Sequence, residues 1–279
     1  MTLTDPINPS RSSSVDRVAP SVTVVVPVYD ESQQLERVVA EIDRELGAAS
    51  WDYRILVLND GSNDWSVELE RRLLVHESVR LENFYPNQGK GAVLNKAFPM
   101  LDTDCAVVID ADGEYAASEI DRVLQPLADD RGDWVMGARY GFGRPRPRQY
   151  LTTYLVNRLI NTWFFLLSGL KFKDLLTGLY AFRTELVSDI ELREKRFSYS
   201  AELVWKLLRT RSLRWSEVPI TYHFRSYAEG KKIRWWETGT LLLALVRYRF
   251  LTGQKRPRRV RQPASGEIPR RLRAESGSE

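Results

Sequence analysis

An α/β fold on a single, mostly parallel sheet with helices on both faces is what this 279-residue chain predicts, and three observations predict it. Short apolar, often β-branched runs alternate with segments of helical periodicity from Ser21 onward. Runs such as Val22 to Val28 and Ala106 to Ile109 are apolar almost throughout, the pattern of strands buried on both faces. The polar residues that stand out follow directly after such runs, at the carboxyl ends where open parallel sheets bind ligands.

The elements follow in order. Val22 to Val28 is the first expected strand. Ser32 to Leu46 follows with Leu35, Val38, Val39 and Ile42 at helical spacing, and Ser32 is the expected N-cap. A second strand, Tyr53 to Leu58, ends in Asn59-Asp60-Gly61-Ser62, whose composition demands a turn. A helix to His76, a strand near Val79 to Asn83, a loop from Tyr85 to Gly91 and a helix around Ala92 to Ala97 come next. The strand before Asp110 closes the regular half. In the second half, Trp134 to Ala138 reads as a strand and Arg139 to Gln149 as a loop rich in Arg, Pro and Gly. Tyr150 to Leu170 reads as a helix, with Leu151, Leu155 and Leu159 on one face and Trp163 to Leu167 widening its apolar stripe. Further helices are expected at Thr184 to Leu192, Ser200 to Arg209 and Ile233 to Phe250, and a strand near Leu213 to Ile220. The sequence shows no internal repeat.

With 43% hydrophobic and 28% charged residues, the chain has the balance of a globular protein. Residues 1–20 read as a polar, disordered leader without the apolar stretch of a secretory signal, residues 21–252 as one domain and 253–279 as a disordered basic tail. The tail carries eight basic and three acidic residues, a net +5 against +4 for the whole chain, so the remainder is close to −1. Such a tail suits an anionic membrane surface, at about 1 kcal/mol per basic residue near the lipid. Nucleic acid is a poor partner, since the body shows no basic stripe with interleaved aromatics. No apolar run approaches the ~20 residues that span a bilayer. The single cysteine, Cys105, has no internal partner and reads as a packed thiol. His76 and His223 lack metal-ligand spacing and read as structural. A cytoplasmic protein, peripheral at the inner face of a membrane, is the expected location.

Asp110-Ala111-Asp112 carries the most chemistry. Two carboxylates two residues apart at a strand's carboxyl end can reach one hard divalent cation, and Mg²⁺ or Mn²⁺ is commonly shared between carboxylates and a substrate's phosphates. Glu114 adds a third acidic group two residues on. A G-x-G-x-x-G dinucleotide motif is missing after the first strand, where Pro27-Val28-Tyr29-Asp30-Glu31 stands instead.

Taken in order, Pro27-Val28-Tyr29-Asp30-Glu31, Asn59-Asp60-Gly61-Ser62, Gln88-Gly89-Lys90-Gly91 and Asp110-Ala111-Asp112 resemble the family 2 glycosyltransferases, which have the GT-A fold. Within them the series is most similar to dolichyl-phosphate mannose synthase and related polyprenyl-phosphate enzymes, from about Val22 to Trp236. The resemblance implies a GT-A-type sheet and an inverting transfer of a hexose from a GDP- or UDP-sugar to a polyprenyl phosphate, with Mg²⁺ or Mn²⁺. It places Pro27, Tyr29, Glu31, Asp60, Lys90, Asp110 and Ala111 at the donor, with Arg225 and Lys231 closing over its diphosphate. Asp112 becomes the principal metal ligand, Asp110 bridges sugar or metal, and Glu114 stands where related synthases carry Gln. Arg139, Arg148 and Thr152 resemble an acceptor-phosphate site, with Glu202 near its pocket. Asp174 is expected to orient the sugar or the pocket wall, or to act as a base for a hydroxyl acceptor. Gly89 and Gly91 are expected to let the backbone approach a ligand. A hydroxyl acceptor on a polysaccharide or small molecule is the alternative, and a non-catalytic nucleotide-sugar-binding module is the alternative of another class. The resemblance also leaves room for a membrane-embedded partner protein, and many relatives carry appended transmembrane helices, which speaks against the lipid acceptor here.

Overall fold

The computed structural model describes residues 19–141, 151–209, 213–223 and 235–251. Seven strands form one sheet: β1 (Val22–Val28), β2 (Tyr53–Asn59), β3 (Val79–Asn83), β4 (Cys105–Val108), β5 (Trp134–Ala138), β6 (Tyr180–Arg183) and β7 (Trp215–Pro219). Their order is β3-β2-β1-β4-β6-β5-β7. Neighbours pair in parallel except at β6, which is antiparallel to both β4 and β5.

Both faces of the sheet are covered. Val22, Val24, Val26 and Val28 face a core layer with Leu35, Val38, Val39, Ile42 and Leu46 of α1 (Ser32–Ala48), beneath α2 (Val67–Leu73) and α4 (Glu119–Ala128). Val25 points the other way, into a layer filled by α3 (Lys90–Ala97), α5 (Leu151–Ser168), α6 (Tyr199–Leu207) and α7 (Trp235–Leu251). Alternate side chains of one strand therefore feed two cores, which is why its sequence is apolar at every position. Phe164 of α5 meets Phe172 and Trp205 at ring-centroid distances of 5.4 and 4.9 Å, and Phe172 stacks on Trp215 at 4.1 Å. Cys105 is buried and unoxidised, with its thiol pushed up to about 11 by burial.

Several expectations change. Ser32 is the first residue of α1 rather than its cap; Glu31 holds the cap position, and the Ser32 N–H is taken by Asp64 Oδ2 at 3.0 Å. The helix expected to His76 stops at Leu73, having started at Ser66, whose Oγ accepts the Leu69 N–H at 3.1 Å. The helix expected over Thr184 to Leu192 is one 3₁₀ turn, Thr184–Leu186. Beyond it the chain extends across α3, where Asn95 accepts the Leu192 N–H. α4 and β6 were not foreseen at all. The leader and tail lie outside the described residues, apart from residues 19 and 20.

Candidate active site

The carboxyl ends of β1, β2 and β4 carry three loops, of which the first two fasten to one another. Asp30, at φ 52°, accepts the Asn63 N–H at 2.7 Å and its own N–H is held by Ser62 Oγ, so the first two loops are cross-linked. Pro27 is buried in β1 beside Leu58, while Tyr29 stands at the rim, 37% exposed. Glu31 heads α1 and is half-buried.

Asp60 is buried, and its carboxylate accepts the N–H groups of Gln88 and Gly89 at 2.7 and 2.8 Å and the Asn87 amide at 2.9 Å. Burial raises its carboxyl above the usual range, although those donors oppose the shift. Its place is the anchor of the 87–89 loop, with three donors already on it. A similar finding applies to the glycines of that loop. A Cβ on Gly89, at φ 95°, would strike the Lys195 carbonyl, and one on Gly91 would strike the Glu194 carbonyl and come within 2.5 Å of Tyr199 Cβ. The 194–195 segment crosses directly over these residues, which is one reason they are glycine.

Lys90, the first residue of α3, pairs with Asp110 Oδ1 and lies 5.8 Å from the Tyr199 ring centroid. Burial opposes its charge, but Asp110 more than compensates and the ammonium is held above its ordinary pKa. On the other side Asp110 Oδ2 occupies the space a Cβ at Gly178 would need. Ala111 is buried. Asp112 Oδ1 accepts the Glu114 N–H at 2.9 Å, and its carboxyl is pushed up to about 7 by burial, then by Asp110 and Glu114. The Glu114 carboxylate receives the Tyr222 hydroxyl. Tyr115 packs edge-on against Tyr222 at 4.8 Å, and its hydroxyl accepts the Gly178 N–H at 2.6 Å.

With Glu114 turned to Tyr222 and Asp110 to Lys90, no group of three or more His, Cys, Asp or Glu side chains is arranged for a metal among the described residues. The donor chemistry nonetheless suits a hard divalent cation. Asp112 is partly buried beside two further carboxylates, and desolvation first, then their negative charge, raises it. Asp110 and Asp112 are the residues that would hold Mg²⁺ or Mn²⁺.

Next to this cluster lies a knot that sequence reasoning only half anticipated. Asp174 is fully buried. Its Oδ2 accepts the backbone N–H and Nε of Arg139 at 2.9 and 2.7 Å, and its Oδ1 accepts Arg139 Nη2 at 2.9 Å and Asn157 Nδ2 at 2.6 Å. Arg139 Nη2 also reaches the Leu176 carbonyl, and the guanidinium carbon sits 5.1 Å from the Tyr222 ring centroid. Burial opposes the guanidinium's charge; Asp174 outweighs burial and keeps it firmly protonated. Glu217, pushed up to about 7 by burial, accepts the N–H groups of Lys173 and Asp174. Both oxygens of Asp174 are thus engaged as acceptors. Its role is to clamp Arg139.

Glu202 is likewise buried and engaged. Its Oε2 accepts the Arg193 and Glu194 N–H groups at 2.8 and 2.7 Å, and Lys206 pairs with its other oxygen at 2.7 Å. It braces the segment that crosses Gly89 and Gly91 rather than lining the pocket. Arg148, Arg225 and Lys231 lie outside the described residues, as does the side chain of Thr152. Of the predicted histidines, His76 joins Asp43 at 2.9 Å in a structural network with Tyr53 and Ser78. Asn157 and Asn161 were missed; two amides one helical turn apart, in line with the apolar Ile160 and Phe164, were the available signal.

Comparison with known proteins gives this geometry a setting. The model for Glycosyl transferase family 2 matches residues 23–188. The chain is 29% identical over 206 residues to the glycosyltransferase AglJ of Haloferax volcanii, a match covering 74% of this chain and 64% of AglJ. To a dolichyl-phosphate hexose transferase of the same organism it is 31% identical over 210 residues, 74% of this chain and 84% of the relative. Among solved structures, mannosyl-3-phosphoglycerate synthase from Rubrobacter xylanophilus superposes with a TM-score of 0.65 at 19% identity, over 91% of this chain and 80% of that one. Glucosyl-3-phosphoglycerate synthase from Mycobacterium tuberculosis, in complex with Mn²⁺ and UDP-glucose, gives 0.60 at 18% identity, over 82% and 79%. At such identities the likeness is one of fold, the GT-A fold.

Proposed function

Because the chain belongs to glycosyl transferase family 2, we propose that it moves a hexose from a nucleotide diphosphate sugar to a polyprenyl phosphate, inverting the anomeric carbon, with Mg²⁺ or Mn²⁺ at the donor. The acceptor class is supported by the relative that acts as a dolichyl-phosphate hexose transferase, and the cation by the similarly folded synthase that holds Mn²⁺ with UDP-glucose.

One observation carries the choice of acceptor. A hydroxyl acceptor requires a general base, and Asp174, the carboxylate expected for that role, is consumed by Arg139 and Asn157. A phosphate monoester is already largely ionised near neutral pH, since its second pKa is about 6. It needs positioning by cations, and the site presents a buried, pre-oriented arginine. Among the described residues no hydrogen bond engages Arg139 Nη1, which leaves that nitrogen for a phosphate oxygen.

In this reading Tyr29 and Glu31 border the nucleotide, and Pro27 and Asp60 shape its loops. Lys90 meets the diphosphate, with Arg225 and Lys231 closing over it. Arg148 and Thr152 join Arg139 around the acceptor phosphate, and Glu202 braces the floor. Asp110 and Asp112 would hold the cation, whose chemistry is to neutralise the departing diphosphate as a Lewis acid. The acceptor phosphate oxygen attacks the anomeric carbon as the bond to the nucleoside diphosphate breaks, through a transition state with oxocarbenium character.

A polyprenyl chain requires a membrane, and α5 offers a surface for one. Leu151, Leu155, Leu159 and Leu166 are more than half exposed along a single face, flanked by Trp163 and Phe165. Among the described residues no helix is long and apolar enough to cross a membrane. A helix lying in the interface at the cytosolic face, aided by the basic tail on anionic lipid, fits this surface.

The test is a panel of UDP- and GDP-hexoses incubated with the purified protein, polyprenyl phosphate and Mg²⁺ or Mn²⁺. Formation of an acid-labile glycolipid supports the proposal. Transfer only to a soluble hydroxyl acceptor, giving an acid-stable glycoside, would overturn it.

A further inference from the structure

We propose that Asn157 and Asn161 are positioning residues for the acceptor, a hydrogen-bonded ladder that ties α5 to the Arg139 guanidinium through Asp174. The ladder begins on the backbone. Asn161 Oδ1 accepts the Leu175 N–H at 3.0 Å, while its Nδ2 donates to the Lys173 carbonyl at 2.8 Å and to Asn157 Oδ1 at 2.6 Å. An amide flip would set Nδ2 against the Leu175 N–H, so the backbone fixes the orientation of Asn161. With its Oδ1 engaged, Asn157 must turn Nδ2 outward, where it donates to Asp174 Oδ1 at 2.6 Å. Asp174 in turn holds Nε and Nη2 of Arg139.

This arrangement is costly as packing. Asn157 is 4% exposed, on the face of α5 that also buries Ile160 and Phe164. An apolar side chain there would add burial and avoid desolvating an amide. What the amide supplies instead is direction: it removes one degree of freedom from a carboxylate that would otherwise pivot with the arginine it grips. Leu155 and Leu159, on the opposite face of the same helix, belong to the surface proposed above for lipid. The helix that docks would then also carry the struts that aim Arg139.

The inference rests on the reading that Arg139 meets the acceptor phosphate, and the experiment separates the two. The full chain would be prepared as Asn157→Ala and, should that variant fold poorly, as the similarly sized, donor-free Asn157→Leu, with Arg139→Lys alongside. KM for polyprenyl phosphate and for the nucleotide sugar, thermal unfolding, and the ¹⁵N-resolved Nε–H resonance of Arg139 would be recorded. Losing a hydrogen bond to a charged group corresponds to about a tenfold effect, so the acceptor KM should rise about tenfold. The donor KM should stay within about twofold, and the Arg139 resonance should shift or broaden. Rescue is expected from no residue lacking a donor at position 157. An unmoved Arg139 resonance, or equal changes in both KM values, overturns the ladder. If Arg139→Lys leaves the acceptor KM unchanged, the acceptor reading falls, while a displaced Arg139 resonance in the Asn157 variant still upholds the ladder.

Discussion

Replacing Asp174 by alanine strands a buried cation, and the consequence can be worked from the contacts. The carboxylate accepts three hydrogen bonds from Arg139 and one from Asn157, and none of its surface reaches solvent. Removing one partner of such a pair leaves an uncompensated charge and typically costs about 3–5 kcal/mol. For a chain of this size that corresponds to a fall in melting temperature of about 10 °C. The paired change Asp174→Leu with Arg139→Met removes both charges and should recover most of the loss, since apolar replacements of buried ion pairs are often neutral. It still leaves the Asn157 amide without its acceptor, a residual cost of about 1–3 kcal/mol. Urea denaturation followed by circular dichroism would measure both variants, with the slope checked for constancy. The double variant should regain stability without regaining transfer activity. A loss below about 1 kcal/mol in Asp174→Ala, or simple additivity in the double variant, would refute the clamp.

Other outcomes follow from the same geometry. Asp112 keeps its proton up to about pH 7 in the folded chain and releases it near 3.8, the ordinary value of an aspartate, when unfolded. The metal-free protein should therefore lose stability as pH rises from about 4 to 7, an interval in which the folded form binds more protons. Mn²⁺ affinity, read by electron paramagnetic resonance, should show the opposite trend and strengthen from pH 6 to 8 as the proton is displaced; a flat profile, or one unaltered by Asp112→Asn, counts against the assignment. Gly91→Ala would drive a Cβ into the Glu194 carbonyl, so a loss of about 1–3 kcal/mol is expected in thermal unfolding. Leu155→Glu with Leu159→Glu should abolish sedimentation with anionic lipid vesicles while leaving the melting temperature within about 2 °C, because both side chains are more than half exposed.

Much of the regular half was legible because its signals are local. The uninterrupted run Val22–Val28 and the spacing of Leu35, Val38, Val39 and Ile42 name their elements without tertiary information. α4 was hidden by Pro126, which reads as a breaker yet sits inside the helix two residues before its end, so the break it causes costs the bond to the Arg122 carbonyl without shortening the helix ahead of it. β6 has four residues, too few to show a period. At the site, Asp110 and Asp112 announce themselves as a pair, whereas the fates of Asp60 and Glu202 depend on backbone N–H groups from residues 8 to 29 positions away. Nothing in a linear string says that a carboxylate will be spent on a neighbouring loop. The same limit concealed the Asn157–Asp174 contact, which spans 17 residues and joins a helix to the connection that follows it.

The reversed strand also decides which loops the pocket can use. In a uniformly parallel sheet, each strand contributes to the ligand-binding rim only the connection that leaves it. Because β6 runs backwards between β4 and β5, Tyr180 pairs with Val108 and Met136, and the connection that enters the strand is delivered to that rim. Residues 173–179 thereby arrive beside Asp110 and Arg139 without any insertion into the forward-running connections. A single inverted element thus gives one edge an additional hand, which reaches the pocket from the side facing away from the donor's turns.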